Sequence, residues 1–271
     1  MVIKKVLSLV FLILFIVSCK EESKNTEQQK MNKNKANILI IHDQNHPDEV
    51  FHALEKLVPT QFWKKYMDTN SLISAKKPYG ICFNLGVRAT NGILALYLNN
   101  DKVAKSIADS MRIASEKLHL QIDQIEILIK NLLKSFTEKD SKLKIEKVSG
   151  QINIIRNEIK HSFKEMKSED YTLFFEFGIW LEAVRQISGI LKDNYQKKSS
   201  GLFYQGLEAQ YFLNRFMSLS RKNKNKKIKK IIDFLTGFYE KIKSASYLFT
   251  PKDFKNLNQT TSEIKNDWVR G

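Results

Sequence analysis

The chain has 271 residues, and 42% of them are apolar, which is enough to build one sizeable core. Its 45 basic and 29 acidic residues give a net charge of +16, which favours an anionic surface as partner. A richness in Lys, Asn and Ile together reads as AT-rich codon usage more than as selection for a basic face. Two cysteines exclude a disulfide framework, and no phosphate-cradling Gly-rich loop, serine elbow or Cys-His metal array occurs.

In chain order, Lys4 and Lys5 precede an apolar run of about 12 residues that ends in Ile16-Val17-Ser18-Cys19. That order is the pattern of a secretory signal. The run is too short to cross a bilayer, which takes about 20 residues. With cysteine at the cleavage point, the segment resembles the lipobox of bacterial lipoproteins. The resemblance implies a signal peptide over 1–18, a diacylglycerol thioether on Cys19, and a mature chain that starts at Cys19 and sits on a bacterial cell envelope membrane. Two or three acyl chains would hold it, since one alone binds only marginally. Lys20-Glu21-Glu22 is similar to the export signal of surface lipoproteins in Bacteroidetes, and the lack of Asp after Cys19 resembles outer-membrane sorting. Cleavage removes Lys4 and Lys5 and no acid, leaving +14. It also leaves Cys82 without a disulfide partner, and Cys82 reads as a buried small hydrophobe in the apolar stretch Tyr79–Phe83.

Residues 20–37 contain Met31 and no other large apolar side chain, so they cannot offset the entropy of ordering. The segment 19–37 is expected to be a lipidated, disordered tether with a reach of about 20–25 Å. From 38 to 271 the pattern is that of a single all-helical domain. Only four prolines occur, and none lies between 79 and 250. Helices are predicted over 47–57, 61–68, 79–98, 102–117, 121–136, 142–166, 170–195, 202–220, 226–247 and 251–267. Pro47 and Pro251 stand at first-turn positions, the latter after a capping Thr250. Asn99-Asn100-Asp101 breaks one helix and caps the next. Ile38–Ile41 has the composition of a short strand, but nothing for it to pair with.

Helices 79–98 and 170–195 are apolar on almost every face, the mark of central, buried helices. The helices around them, such as 121–136, carry one apolar stripe. The predicted fold is therefore an all-α, multi-helix bundle with two central buried helices. The two also resemble each other. Tyr79, Phe83, Gly86 and Val87 match Tyr171, Phe175, Gly178 and Ile179 at identical spacing, through a distant internal duplication or through chance between two apolar helices. A glycine inside a helix costs about 1 kcal/mol against alanine, and close helix approach is the usual reason for it.

Leu85-Gly86-Val87, followed about 90 residues on by Gly178-Ile179-Trp180-Leu181-Glu182-Ala183, resembles an uncharacterised family of helical exported proteins from Bacteroidetes. The resemblance covers 79–195 and implies an all-helical domain. Asn91, Ile179 and Ala183 depart from the family pattern.

Glu182 is the polar residue that stands out, because a buried carboxylate must be paired or neutral. One reading is an ion pair with Arg185 or a contact to Arg88 or Asn91. The other is a ligand-contacting acid in a pocket between the central helices with Trp180. No second acid, base or nucleophile accompanies it, so no catalytic residue is assigned and no cofactor is implied. His42-Asp43-x-x-His46 with His52 matches no closed zinc pattern, and His119 and His161 stand alone. Arg221 to Lys230 places seven cations in ten residues. It reads as a solvated linker or as a grip for phosphate or acidic glycan, and the absence of interleaved aromatics argues against nucleic acid. The partners expected are the membrane, through the lipid, and an envelope protein or anionic glycan.

Overall fold

The computed structural model describes residues 47–68, 74–120, 122–135, 141–197, 206–243 and 248–269, with Glu138, Lys139, Ser199 and Leu202 between them. All belong to the compact unit Ile40–Gly271. The signal segment, Cys19, the tether, the Ile38–Ile41 strand and His42, Asp43 and His46 lie outside the described residues.

Among the described residues there are nine α-helices and no strand: α1 Pro47–Glu55, α2 Pro78–Tyr97, α3 Asp101–Lys117, α4 Ile122–Ser135, α5 Ser141–Glu165, α6 Glu169–Asp193, α7 Gly206–Lys222, α8 Lys226–Ile242 and α9 Pro251–Val269. Two short 3₁₀ turns, Thr60–Phe62 and Lys64–Tyr66, replace the helix expected over 61–68. The Trp63 indole donates to the Val58 carbonyl at 3.1 Å, and the backbone is already extended at Met67, so no room remains for a second α-turn. The long helices begin and end within about two residues of the expected positions, except α7 and α8. α7 opens at Gly206, and α8 closes at Ile242.

The helix exits share a device. Asn99, His119 and Lys167 each take a left-handed backbone conformation, with φ of 51°, 52° and 52°. One residue later a backbone N–H reaches five residues back, from Asn100 to Ala95, Leu120 to Ser115 and Ser168 to Phe163, at 2.8–3.1 Å. This satisfies carbonyls that the helix end would otherwise leave open. His119 is thus a turn residue. Asn100 then caps α3 by accepting from the Val103 N–H at 3.2 Å.

α2 and α6 are the centre. Every residue from Gly80 to Tyr97 is buried, as are Leu173–Leu191 apart from Glu176 and Arg185. They run parallel, with the Tyr79 ring 5.4 Å from Tyr171 and Thr90 donating to the Ile179 carbonyl at 3.0 Å. A Cβ at Gly86 would sit 2.1 Å from the Phe175 carbonyl oxygen, and one at Gly178 would sit 2.2 Å from that of Phe83. The two helices therefore meet backbone to backbone, and the contact is two-fold symmetric: what Gly86 does to Phe175, Gly178 does to Phe83. The repeated Phe-x-x-Gly spacing is the sequence form of this crossing.

The other helices cover the pair. α3 lies along α2, and α4 and α5 continue that layer; α7 and α8 pack on one side of α6, and α9 lies across α6 and reaches α2. No described helix is long and apolar enough to cross a membrane.

Candidate functional site

The polar centre of the bundle is built on the two central helices. Asn91 lies one turn beyond Val87 on α2, and its amide is fully used. It donates to the Glu182 Oε1 at 2.8 Å and the Val87 carbonyl at 2.9 Å, and it accepts from the Asp68 N–H at 3.0 Å and Gln186 Nε2 at 2.9 Å. An amide has two donors and two acceptor positions, so none is left over.

Glu182 on α6 is completely enclosed; its side chain has 0% exposure. Arg185, one turn on, meets it with both Nε and Nη2 at 2.7 Å, a bidentate fork. Gln186 Nε2 donates at 3.0 Å, and Lys265 Nζ of α9 at 3.1 Å. Burial raises the Glu182 carboxyl, but the charges of Arg185 and Lys265 and the hydrogen bonds of Arg185 and Asn91 outweigh it and bring it down to about 2. The carboxylate is therefore ionised at any physiological pH, with donors from four residues around it.

The network continues outward. Arg185 Nη2 also donates to the Tyr66 carbonyl at 2.8 Å, and Lys265 also pairs with Asp68 at 2.8 Å. Arg88 is buried on α2; burial lowers its basicity, while the charges of Asp68 and Glu182 support it. Asn258 of α9 donates to the Arg185 carbonyl at 2.8 Å. Four segments, the 3₁₀ turn with Asp68, α2, α6 and α9, are thus tied to one carboxylate.

The expected partners Asn91 and Arg185 are in contact with Glu182, but Trp180 is not brought to it. Two residues apart on a helix is about 200° of rotation. Trp180 packs instead between α6, α7 and α8, with its ring 5.9 Å from Phe177, 5.5 Å from Phe212 and 5.7 Å from Phe238. Lys265 and Asp68 were not foreseen. Lys265 carried a signal: it stands four residues after Thr261 on a helix whose buried face holds Phe254, Leu257, Thr261, Ile264 and Trp268.

A second cluster lies on the Trp180 side of α6. Glu208 of α7 is largely buried, and burial raises its carboxyl to about 8; the nearby Trp180 indole N–H, short of a well-aligned hydrogen bond, and the charge of Arg156 pull it down, and Glu176 pushes it up. Glu176 itself pairs with Lys160 at 2.7 Å. Glu208 is thus neutral at pH 7. Because its folded value lies above the unfolded one, its contribution to stability is complete below about 4.5 and is lost as pH rises through about 8. Glu208→Gln is expected to remove that loss. At pH 9 the variant should melt a few degrees above wild type, while at pH 5 the two should agree; equal melting at both pH values would contradict the neutral carboxyl.

Among the described residues, no group of three or more His, Cys, Asp or Glu is placed to hold a metal. His52 is exposed, 3.8 Å from Glu55. Cys82 is fully buried, and burial pushes its thiol well up, so it stays protonated and inert. Compared with protein-family models, with curated proteins and with solved structures, the chain matches none. The class that the fold defines is an all-α bundle with a buried ionic centre.

Proposed function

We propose that this chain is a lipid-anchored protein of a bacterial envelope whose helical domain is a non-enzymatic binding or scaffold module. Cys19 after Ile16-Val17-Ser18 supports the anchor. The observation that carries the rest is the state of Glu182: enclosed, ionised, and satisfied by Asn91, Arg185, Gln186 and Lys265. A carboxylate so occupied has no free position for a substrate, and the central helices touch through their backbones where a pocket between them would open. The polar centre is structural, and recognition falls to the surface.

Anchoring is tested by Cys19→Ala, with radiolabelled fatty acid in cells. The variant is expected to lose labelling and membrane retention together; acylation that persists would contradict the lipobox reading.

The second reading, a small-ligand receptor or enzyme, draws support from the other side of α6. There the neutral carboxyl of Glu208 stands near Glu176, which is paired with Lys160, and an aromatic wall of Trp180 and Phe212. A folded Glu208→Gln variant that loses ligand-induced stabilisation would favour it over the scaffold.

A further inference from the structure

We propose that one end of the bundle is a binding site for a linear acidic polysaccharide, with Lys164, Lys167 and Lys222 as its central cations. This rests on the binding-module reading and names its partner class.

Many helix ends meet there. α2 and α6 begin at this end, with Tyr79 against Tyr171. α9 finishes beside them, where Ser74 donates to the Val269 carbonyl at 2.6 Å and the Trp268 ring lies 4.7 Å from Phe174. α7 arrives through Phe216, 5.4 Å from Phe174, and α8 starts with Lys227 over the Trp268 ring at 5.5 Å. Chain segments far apart in sequence are therefore neighbours, and each delivers lysines. Lys76 and Lys77 precede α2, Lys164 and Lys167 close α5, and Arg221, Lys222, Lys224 and Lys226 form the α7–α8 corner. All eight are exposed, and none makes an ion pair among the described residues.

The run 221–230 is thus not a uniform solvated linker. Lys230 pairs with Asp267 at 2.9 Å, and Lys227 bonds the Asp267 carbonyl, so those two fasten α8 to α9. The cations before them stay outside.

Lys164, Lys167 and Lys222 converge on a groove of about 510 Å3 that Tyr79, Asp170 and Tyr171 also line. Two acids also line it, Glu169, which faces Arg215 at 3.6 Å, and Asp170; Glu165, beside Lys164, faces His161 at 3.7 Å. The groove selects among polyanions. It is concave, with two acids in its wall against three lysines, which suits a narrow chain better than a flat anionic membrane. Its tyrosines are half-buried and engaged edge to face, 80° between planes, so neither offers the open ring on which nucleic-acid bases stack. Their hydroxyls and the lysines suit sugar hydroxyls and carboxylates.

The test uses the full-length protein in phosphatidylcholine nanodiscs and calorimetric titration with polygalacturonate at 150 mM salt. Neutral dextran is the control, and phosphatidylglycerol vesicles are the competing surface. Lys164→Ser/Lys167→Ser/Lys222→Ser is expected to weaken polygalacturonate binding by at least about tenfold. Lys56→Ser/Lys102→Ser/Lys105→Ser removes as much charge from the opposite end and should change it less than about twofold. Equal loss in both variants would reduce the effect to net charge and overturn the site while leaving a binding module in place. Wild-type protein that binds vesicles but not polygalacturonate assigns the end to a membrane, and binding of neither leaves only a protein partner; both results overturn the proposal.

Discussion

Gly86→Ala and Gly178→Ala are each expected to prevent folding or to destabilise the domain by about 3 kcal/mol or more, at the top of what overpacking costs. The added carbon would lie 2.1 Å from the Phe175 carbonyl oxygen in the first case and 2.2 Å from that of Phe83 in the second. Both obstacles are backbone inside a helix, so no side chain can swing away; the helices themselves must separate. Separation loosens the Tyr79–Tyr171 and Phe83–Phe177 ring contacts and lengthens the Thr90 bond to Ile179. Gly150 and Gly237 are the controls. A Cβ at either meets nothing within 4 Å, so alanine there should stabilise by up to about 1 kcal/mol through helix propensity alone. Urea unfolding of the four variants gives opposite signs if the central crossing is as close as described. Near-wild-type stability of Gly86→Ala would contradict it.

Glu182→Gln is expected to cost about 3–5 kcal/mol, the usual result of removing one partner from a buried ion network. Arg185 and Lys265 would keep their charges in the interior, with side chains only 13% and 10% exposed, and would lose their common counterion. The remaining amide would present an NH₂ to donors. The pH dependence has a definite sign. The folded value of Glu182, about 2, lies below the ordinary 4.5, so its stabilisation is complete above about 4.5 and is lost as pH falls towards 2. Wild-type protein should therefore weaken on acidification across that window, and Glu182→Gln should weaken less steeply. The opposite slope from Glu208, between 4.5 and 8, keeps the two groups separable in one titration of melting temperature.

Much of this arrangement was legible in the chain. Apolar residues on every face marked α2 and α6 as central, and helical glycines with no capping role marked the close crossing. Glu182 with Arg185 one turn on is a local pair, and Asn91 lay on the other central helix, so these contacts followed once the two helices were placed together. Lys265 and Asp68 depend on where α9 and the 3₁₀ turn come to rest, which are contacts across 83 and 197 residues. No local spacing encodes them, and only the lysine in an apolar stripe hinted at one. Trp180 was placed with Glu182 because both sit in one short segment; helical rotation sends them to opposite sides. The basic end was half legible. The run at 221–230 was visible, but its junction with Lys164 and Lys167 exists only because α5, α7 and α9 finish where α2 and α6 begin.

The role of the buried centre is tested most directly by a double-mutant cycle on Glu182→Gln and Lys265→Met, measured by urea unfolding of the full chain. A structural clamp requires each single variant to be strongly destabilised and the double variant to cost clearly less than their sum, with a coupling of about 1–3 kcal/mol, because the double variant no longer strands Lys265 and leaves Arg185 and Asp68, whose opposite charges attract each other. Additive costs, or a Glu182→Gln protein as stable as wild type, would contradict the clamp and return Glu182 to the role of a ligand-binding acid.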